Sequence, residues 1–280
     1  MWTRKLLKAN AKIAFRRNFW ACVAVSFLAV LLGAASSGGG VTFDYGLEES
    51  GYYDDYYYED EYYGNAYEQH FMEDVREAIW TVVTSPIFIV VIIIAMVSVT
   101  ITIAFMILVA NIVNVGHKRY YLENREHKTD IGKLFYGFSG GRYGSYVWIM
   151  FWKGLYTFLW SLLFVIPGIV KSYSYMMIPY ILAENPSISK ERAFEISKQM
   201  MKGHKGEAFV LGLSFFGWQM LNTMTSGILG VFYVNPYVDA TFAEFYSAIK
   251  AEAFRKGITN AVELPGVGNI NFAEQFTQQL

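Results

Sequence analysis

Three ionisable residues, Lys171, Asp239 and Glu244, stand within apolar sequence. Unpaired charge in hydrocarbon is costly, so such residues are members of ion pairs or sites of transport. Lys171 follows Pro167-Gly168 and Asp239 follows Pro236, which puts both near the same depth of a membrane bundle. A Lys171–Asp239 pair between two helices is the expected arrangement. Glu244, lying deeper and without an evident partner, is either a proton or cation site or a carboxyl that faces a wet crevice or hydrogen-bonds a tyrosine.

A second group is Asp54, Asp55, Glu59, Asp60 and Glu61, interleaved with Tyr56, Tyr57, Tyr58, Tyr62 and Tyr63. Carboxylates and ring faces together suit a cationic peptide or polyamine, or weakly held calcium. The bland alternative is a solvated, variable loop, and no EF-hand spacing is present. A third group, Lys5, Lys8, Lys12 and Arg16, runs beside Trp2, Leu6, Ala9 and Ile13 at helical spacing. That pattern fits a helix lying on anionic lipid of the inner leaflet; an ordinary basic flank explains the charges but not the apolar stripe.

Catalytic constellations are absent from the sequence. His70, His117, His127 and His204 lack His-Glu-x-x-His or Cys-x-x-Cys company, and the glycine-rich stretch 137–144 has no phosphate-binding lysine at motif spacing. Cys22 is the single cysteine and sits in an apolar block. No enzyme, cofactor, metal or nucleic-acid partner is expected.

The elements that must position these residues follow from composition. Of 280 residues 54% are hydrophobic, 17% are charged and the mean hydropathy is +0.26. A soluble domain carries roughly 25% charged residues. A bilayer crossing needs about 20 apolar residues. The expected fold is an all-α polytopic transmembrane helix bundle of about six spans with cytoplasmic amphipathic interfacial helices. Its segments are a basic interfacial helix (1–18), a first span (19–36), an exterior acidic, tyrosine-rich loop (37–77), a second span (78–116) and a basic cytoplasmic loop (117–146). Then come a hairpin of two spans turning at Pro167-Gly168 (147–184), a cytoplasmic amphipathic helix (185–206), two further spans (207–249) and a cytoplasmic tail (250–280). Small residues at Gly33-Ala34-Ala35-Ser36 make a cleaved signal the rival reading of the first span. Within the last stretch, 237–249 has the interface as its alternative, because Asp239 and Glu244 interrupt it.

Loop charges set the orientation. The segment 37–77 holds 12 acidic residues and the single basic residue Arg76, whereas 1–18 holds six basic residues and no acidic one. Basic segments belong on the cytoplasmic side. All of them agree with six crossings and both termini inside. Each pair of spans follows a basic segment, a pattern that three parallel hairpin repeats would produce.

The stretch Ile166-Pro167-Gly168-Ile169-Val170-Lys171-Ser172-Tyr173-Ser174-Tyr175-Met176, then Pro179 to Pro186, resembles a bacterial membrane family known as domain of unknown function 975. Ser197 to Gly203, Leu213 to Trp218, Pro236-Tyr237, Lys5 to Trp20 and Leu134 to Phe138 also fit it, and the acidic tyrosine loop departs from it. The resemblance implies an integral membrane protein without an assigned activity. Two functions remain open: an envelope scaffold or sensor that binds anionic lipid inside and cationic ligands outside, and a small transporter using Lys171, Asp239 and Glu244.

Overall fold

The computed structural model describes residues 2–32, 64–139 and 141–267, and every regular element among them is helical. Asp54, Asp55, Glu59, Asp60 and Glu61 lie outside the described residues. In chain order the helices are α1 (Arg4–Arg17), α2 (Phe19–Leu31), α3 (Gly64–Val83), α4 (Pro86–Phe105), α5 (Asn111–Asn124), α6 (Tyr143–Leu163), α7 (Val165–Ser174), α8 (Ile178–Glu184), α9 (Lys190–Met200), α10 (Lys205–Leu213), α11 (Phe216–Met224) and α12 (Asn235–Arg255). Short π-helical turns, Met106–Ala110 and Gly230–Val234, precede α5 and α12, and a 3₁₀ helix covers Ile131–Phe138. The chain divides into two units, 42–104 and the remainder.

The smaller unit contains α3 and α4. In α4 the run of Ile and Val has no buried residue. β-Branched residues are not the best helix formers, and the helix closes its own backbone bonds along the whole run. Its hydroxyls do the same: Ser98 Oγ donates to the Ala95 carbonyl and Thr102 Oγ1 to the Ser98 carbonyl, both at 2.8 Å.

The larger unit is built around α12, in which fifteen of 21 residues are buried. Helices α1, α5 and α9 pack on it. The stretch 237–249, the least apolar of the expected spans, is therefore the centre of the core. α5 is likewise buried over most of its length, so residues 117–124, read from sequence as loop, are core helix. Gly116 is required where α5 meets the 3₁₀ helix: a Cβ there would meet the Leu134 carbonyl carbon at 2.6 Å and the Lys133 carbonyl oxygen at 2.9 Å.

The expectation of about six long spans is corrected. Among the described residues one helix, Pro86–Asn124 of 39 residues, is long and apolar enough to cross a membrane; a second candidate arises only if α1 and α2, bent by 99°, count as one. The reason is local. The apolar blocks of sequence break into short pieces at Tyr175–Met177 before Pro179, at Ser214-Phe215, and at Ser226-Gly227, where both residues have positive φ. α6 has the length, but its tyrosines, tryptophans and Lys153 dilute its hydropathy.

The turn after α6 also differs from expectation. The helix ends at Leu163, Phe164 is extended, and Pro167-Gly168 falls in the first turn of α7. Proline is tolerated there because its missing N–H would have no intrahelical partner. Gly168 lets α7 lie against α6, since a Cβ at that position would stand 2.7 Å from Ser161 Cα.

Candidate functional site

The apolar chain gathers its charges in the core of the larger unit. Residues on α5 and just beyond it present cations to α12. Lys118 Nζ donates to Asp239 Oδ1 at 2.8 Å, and His117 Nε2 stands 3.4 Å from Asp239 Oδ2. Two turns along, Arg125 grips Glu244 with both ends of its fork, Nε to Oε1 at 2.9 Å and Nη2 to Oε2 at 3.2 Å. Both contacts advance in the same chain direction, so the two segments run alongside one another like rails joined by two charged rungs.

A third rung lies farther along α12, where Lys250 Nζ donates to Glu184 Oε2 at 2.5 Å and the Gly266 backbone N–H adds a bond at 3.1 Å. Lys118 and Lys250 are each 1% exposed. The Tyr180 and Tyr246 rings stack between these rungs with centroids 5.0 Å apart, and Lys118 Nζ sits 5.5 Å from the Tyr180 centroid. At such burial a carboxylate or ammonium persists only with a close partner, and each rung supplies one.

Beside this column, Arg119 bonds Glu123 at 2.9 Å and the Ala183 carbonyl at 2.6 Å while its guanidinium lies 3.8 Å from the Tyr136 ring centroid. On the other side, Asn124 Nδ2 donates to the Ala14 carbonyl at 3.0 Å and Ser26 Oγ meets Tyr121 Oη at 2.8 Å. Polar side chains thus tie α1, α2, α5, α8 and α12 together.

The predicted Lys171–Asp239 pair is corrected by this geometry. Asp239 belongs to Lys118 and His117, and Lys171 lies 4.6 Å from the Trp160 ring centroid. The two sit on α7 and α12, and a cation that can rest on an aromatic face needs no carboxylate. Glu244, expected to lack an obvious partner, is held by Arg125. Sequence reading missed Lys118, Arg125 and Lys250 because they fell in segments assigned to loops or tails, and Glu184 because it closed the hairpin segment at its last residue. The available signal was Lys118 and Arg125 at i, i+7, two turns apart on a helix that continues past Gly116.

The basic residues of α1 divide. Lys5, Lys12 and Arg16 are exposed, whereas Lys8 reaches inward, donating to the Ser214 carbonyl at 3.4 Å with the Phe215 centroid 4.2 Å away. Burial, then the neighbouring charges of Arg4 and Lys12, hold Lys8 below the usual lysine range. The buried face of α1 is Leu7, Ala11, Ala14 and Phe15, and the stripe expected to be apolar keeps Leu6, Ala9 and Ile13 open. α1 has two apolar faces, and the one that carries Leu7, Ala11, Ala14 and Phe15 is buried. On α9 the expected stripe of Ala193, Ile196 and Met200 is buried, under a Ser189 cap and ahead of Gly203 at positive φ.

Past α12 the chain folds back over α8 and α9. Arg192 donates to both oxygens of Glu263 at 2.8 Å and to the Ile258 carbonyl at 2.9 Å, while Asn185 Nδ2 donates to the Glu263 carbonyl at 2.9 Å. The Arg192 fork holds Glu263 below the usual carboxylate range, and the bond to Lys256 does the same for Glu252. Among the described residues no three His, Cys, Asp or Glu gather as metal ligands.

Residues 162–253 match the model of a family described as Protein of unknown function (DUF975). That stretch, about a third of the chain, is what resembles the family. The match runs from the end of α6 to the end of α12 and is narrower than the resemblance read from sequence, which took in Lys5 to Trp20 and Leu134 to Phe138. The DUF975 stretch contains Glu184, Asp239, Glu244 and Lys250, so it carries every carboxylate of the three rungs, whereas Lys118 and Arg125 lie before it. No curated protein and no solved structure matches the chain.

Proposed function

We propose that this protein is a non-enzymatic, multi-pass membrane protein that organises or senses at the bacterial envelope, with both termini on the cytoplasmic side. The observation that carries this reading is the surface of its helices. Large apolar side chains stand open along α2, α4, α6, α7 and α11, among them Trp20, Leu162, Ile166 and Met224 at 73–82% exposure, while the charges turn inward and pair. Water would not tolerate apolar exposure on that scale, whereas hydrocarbon favours it.

The exposed Lys5, Lys12 and Arg16 then meet anionic headgroups of the inner leaflet, each worth about 1 kcal/mol near the surface. The acidic residues Asp54 to Glu61 face the exterior, where cationic peptides or cations are the fitting partners. The transporter alternative is disfavoured because Asp239 and Glu244 already hold cations. Extraction of cell membranes with alkaline carbonate tests the reading. The full chain is expected to stay in the pellet, and release into the supernatant would contradict it.

A further inference from the structure

The start of α1 and the start of α10 enclose a cleft of about 400 Å3 lined by Trp2, Thr3, Arg4, Gly206, Glu207 and Val210. Its chemistry is mixed in a specific way. Arg4 supplies an exposed cation with no ion-pair partner among the described residues. Glu207 supplies a carboxylate that is half exposed even though its Oε2 bonds His204 Nδ1 at 2.6 Å. Trp2 supplies an aromatic wall fixed edge-on to Phe245, centroid to centroid 5.3 Å.

One cation and one carboxylate lining the same cleft complement a zwitterion better than a simple anion, because a lone phosphate would be repelled by Glu207. The cleft is not closed at its apolar end. Val210, three residues beyond Glu207 and lining the cleft, is 38% exposed, Leu213 one turn farther along α10 is 55% exposed, and Phe209 is 45% exposed. The ligand that fits has a charged, zwitterionic head and apolar tails.

We infer that this cleft seats the headgroup of a phospholipid bearing a primary ammonium. Its phosphate lies on Arg4, its ammonium donates to Glu207 against the Trp2 face, and its acyl chains run along Val210 and Leu213. Choline lacks the N–H groups that Glu207 would accept, and a glycerol headgroup lacks the cation. The inference rests on the membrane-integral reading and adds to it the identity of a bound lipid.

Gly206 offers a clean perturbation. It lines the cleft, its φ is not positive, and a Cβ there meets open space, so Gly206→Leu fills the cleft without displacing packed atoms. The full chain, purified in mild detergent, would be offered equal amounts of phosphatidylethanolamine, phosphatidylglycerol and phosphatidylcholine, and the retained lipid counted by native mass spectrometry. The expected result is retention of the ethanolamine lipid about fivefold over the glycerol lipid, the size of one partly exposed charge contact. Glu207→Gln should abolish that preference, Arg4→Ala should lower retention of all three while Arg4→Lys preserves it, and Gly206→Leu should remove the preferred lipid with unchanged thermal stability. Equal retention of the three lipids, or a preference that survives both Glu207→Gln and Gly206→Leu, would overturn the inference. Displacement by free phosphoethanolamine at concentrations comparable to the lipid would overturn the part played by the acyl chains. A chain that stays soluble without detergent would instead refute the membrane reading beneath it.

Discussion

Replacing Asp239 by leucine leaves the Lys118 ammonium, 1% exposed, facing hydrocarbon where its 2.8 Å acceptor stood. Breaking a buried pair by removing one partner costs about 3–5 kcal/mol, because the remaining charge is uncompensated. The reciprocal Lys118→Met change strands Asp239 with only His117 at 3.4 Å and should cost a similar amount. The two single changes therefore lower the melting temperature by about 6–12 °C each, taking 3 kcal/mol and a chain of this size. The double variant Lys118→Met/Asp239→Leu removes both charges and leaves a volume-matched apolar contact, which is often neutral or stabilising. It should recover to within about 1–2 kcal/mol of the parent, a coupling of at least about 4 kcal/mol. Thermal unfolding of the four proteins in one detergent, followed by size-exclusion fluorescence, measures the cycle. Additive losses in the double variant would refute the claim that these two side chains hold each other.

The reversal Lys171→Glu/Asp239→Lys should restore none of the stability lost by Asp239→Lys alone, since Lys171 rests on Trp160; rescue in the same unfolding assay would reinstate the pair expected from sequence. Gly116→Ala should destabilise by about 1–3 kcal/mol as overpacking does, because the new methyl runs into the Leu134 carbonyl; a stability change under ~0.5 kcal/mol would mean that α5 and the 3₁₀ helix part easily. Glu263 titrates below the usual carboxylate range because Arg192 holds its charged form. Its contribution is present above the unfolded carboxylate value of about 4.3 and is lost as pH falls through the lower folded value. Amide exchange across 256–267 should therefore quicken at pH 3 relative to pH 6, corrected for intrinsic rates, and Glu263→Gln should show the faster behaviour at both; a tail equally protected at both pH values would refute this.

The apolar blocks and the acidic, tyrosine-rich stretch are plain in the sequence, because bulk hydropathy and charge runs are local quantities. So is the cap-and-stripe pattern of α9, where Ser189, Ala193, Ile196, Met200 and Gly203 each sit where the helix places them. Pairing is not local. Lys118 and Asp239 lie 121 residues apart, and nothing in either neighbourhood names the other. α12 was the hardest element to read for a related reason. Asp239, Glu244 and Lys250 make it look interfacial, whereas partners on α5, at Arg125 and on α8 allow fifteen of its 21 residues to be buried. Span length failed where apolar residues continue through a turn: hydropathy is blind to the backbone reversals at Ser226-Gly227 and to the extended Phe164. On α1 two apolar faces competed, and only packing against α12 decided that Phe15 goes in and Ile13 stays out.

A proton-flux assay on the purified full chain in sealed liposomes, with a pH gradient imposed and a dye inside, tests the central claim most directly. If the charged column is a structural latch, decay of the gradient should match that of empty vesicles, and Glu244→Gln should not change it. Gradient-driven flux well above empty vesicles, abolished by Glu244→Gln in protein that still folds, would contradict the account and make Glu244 a transport residue.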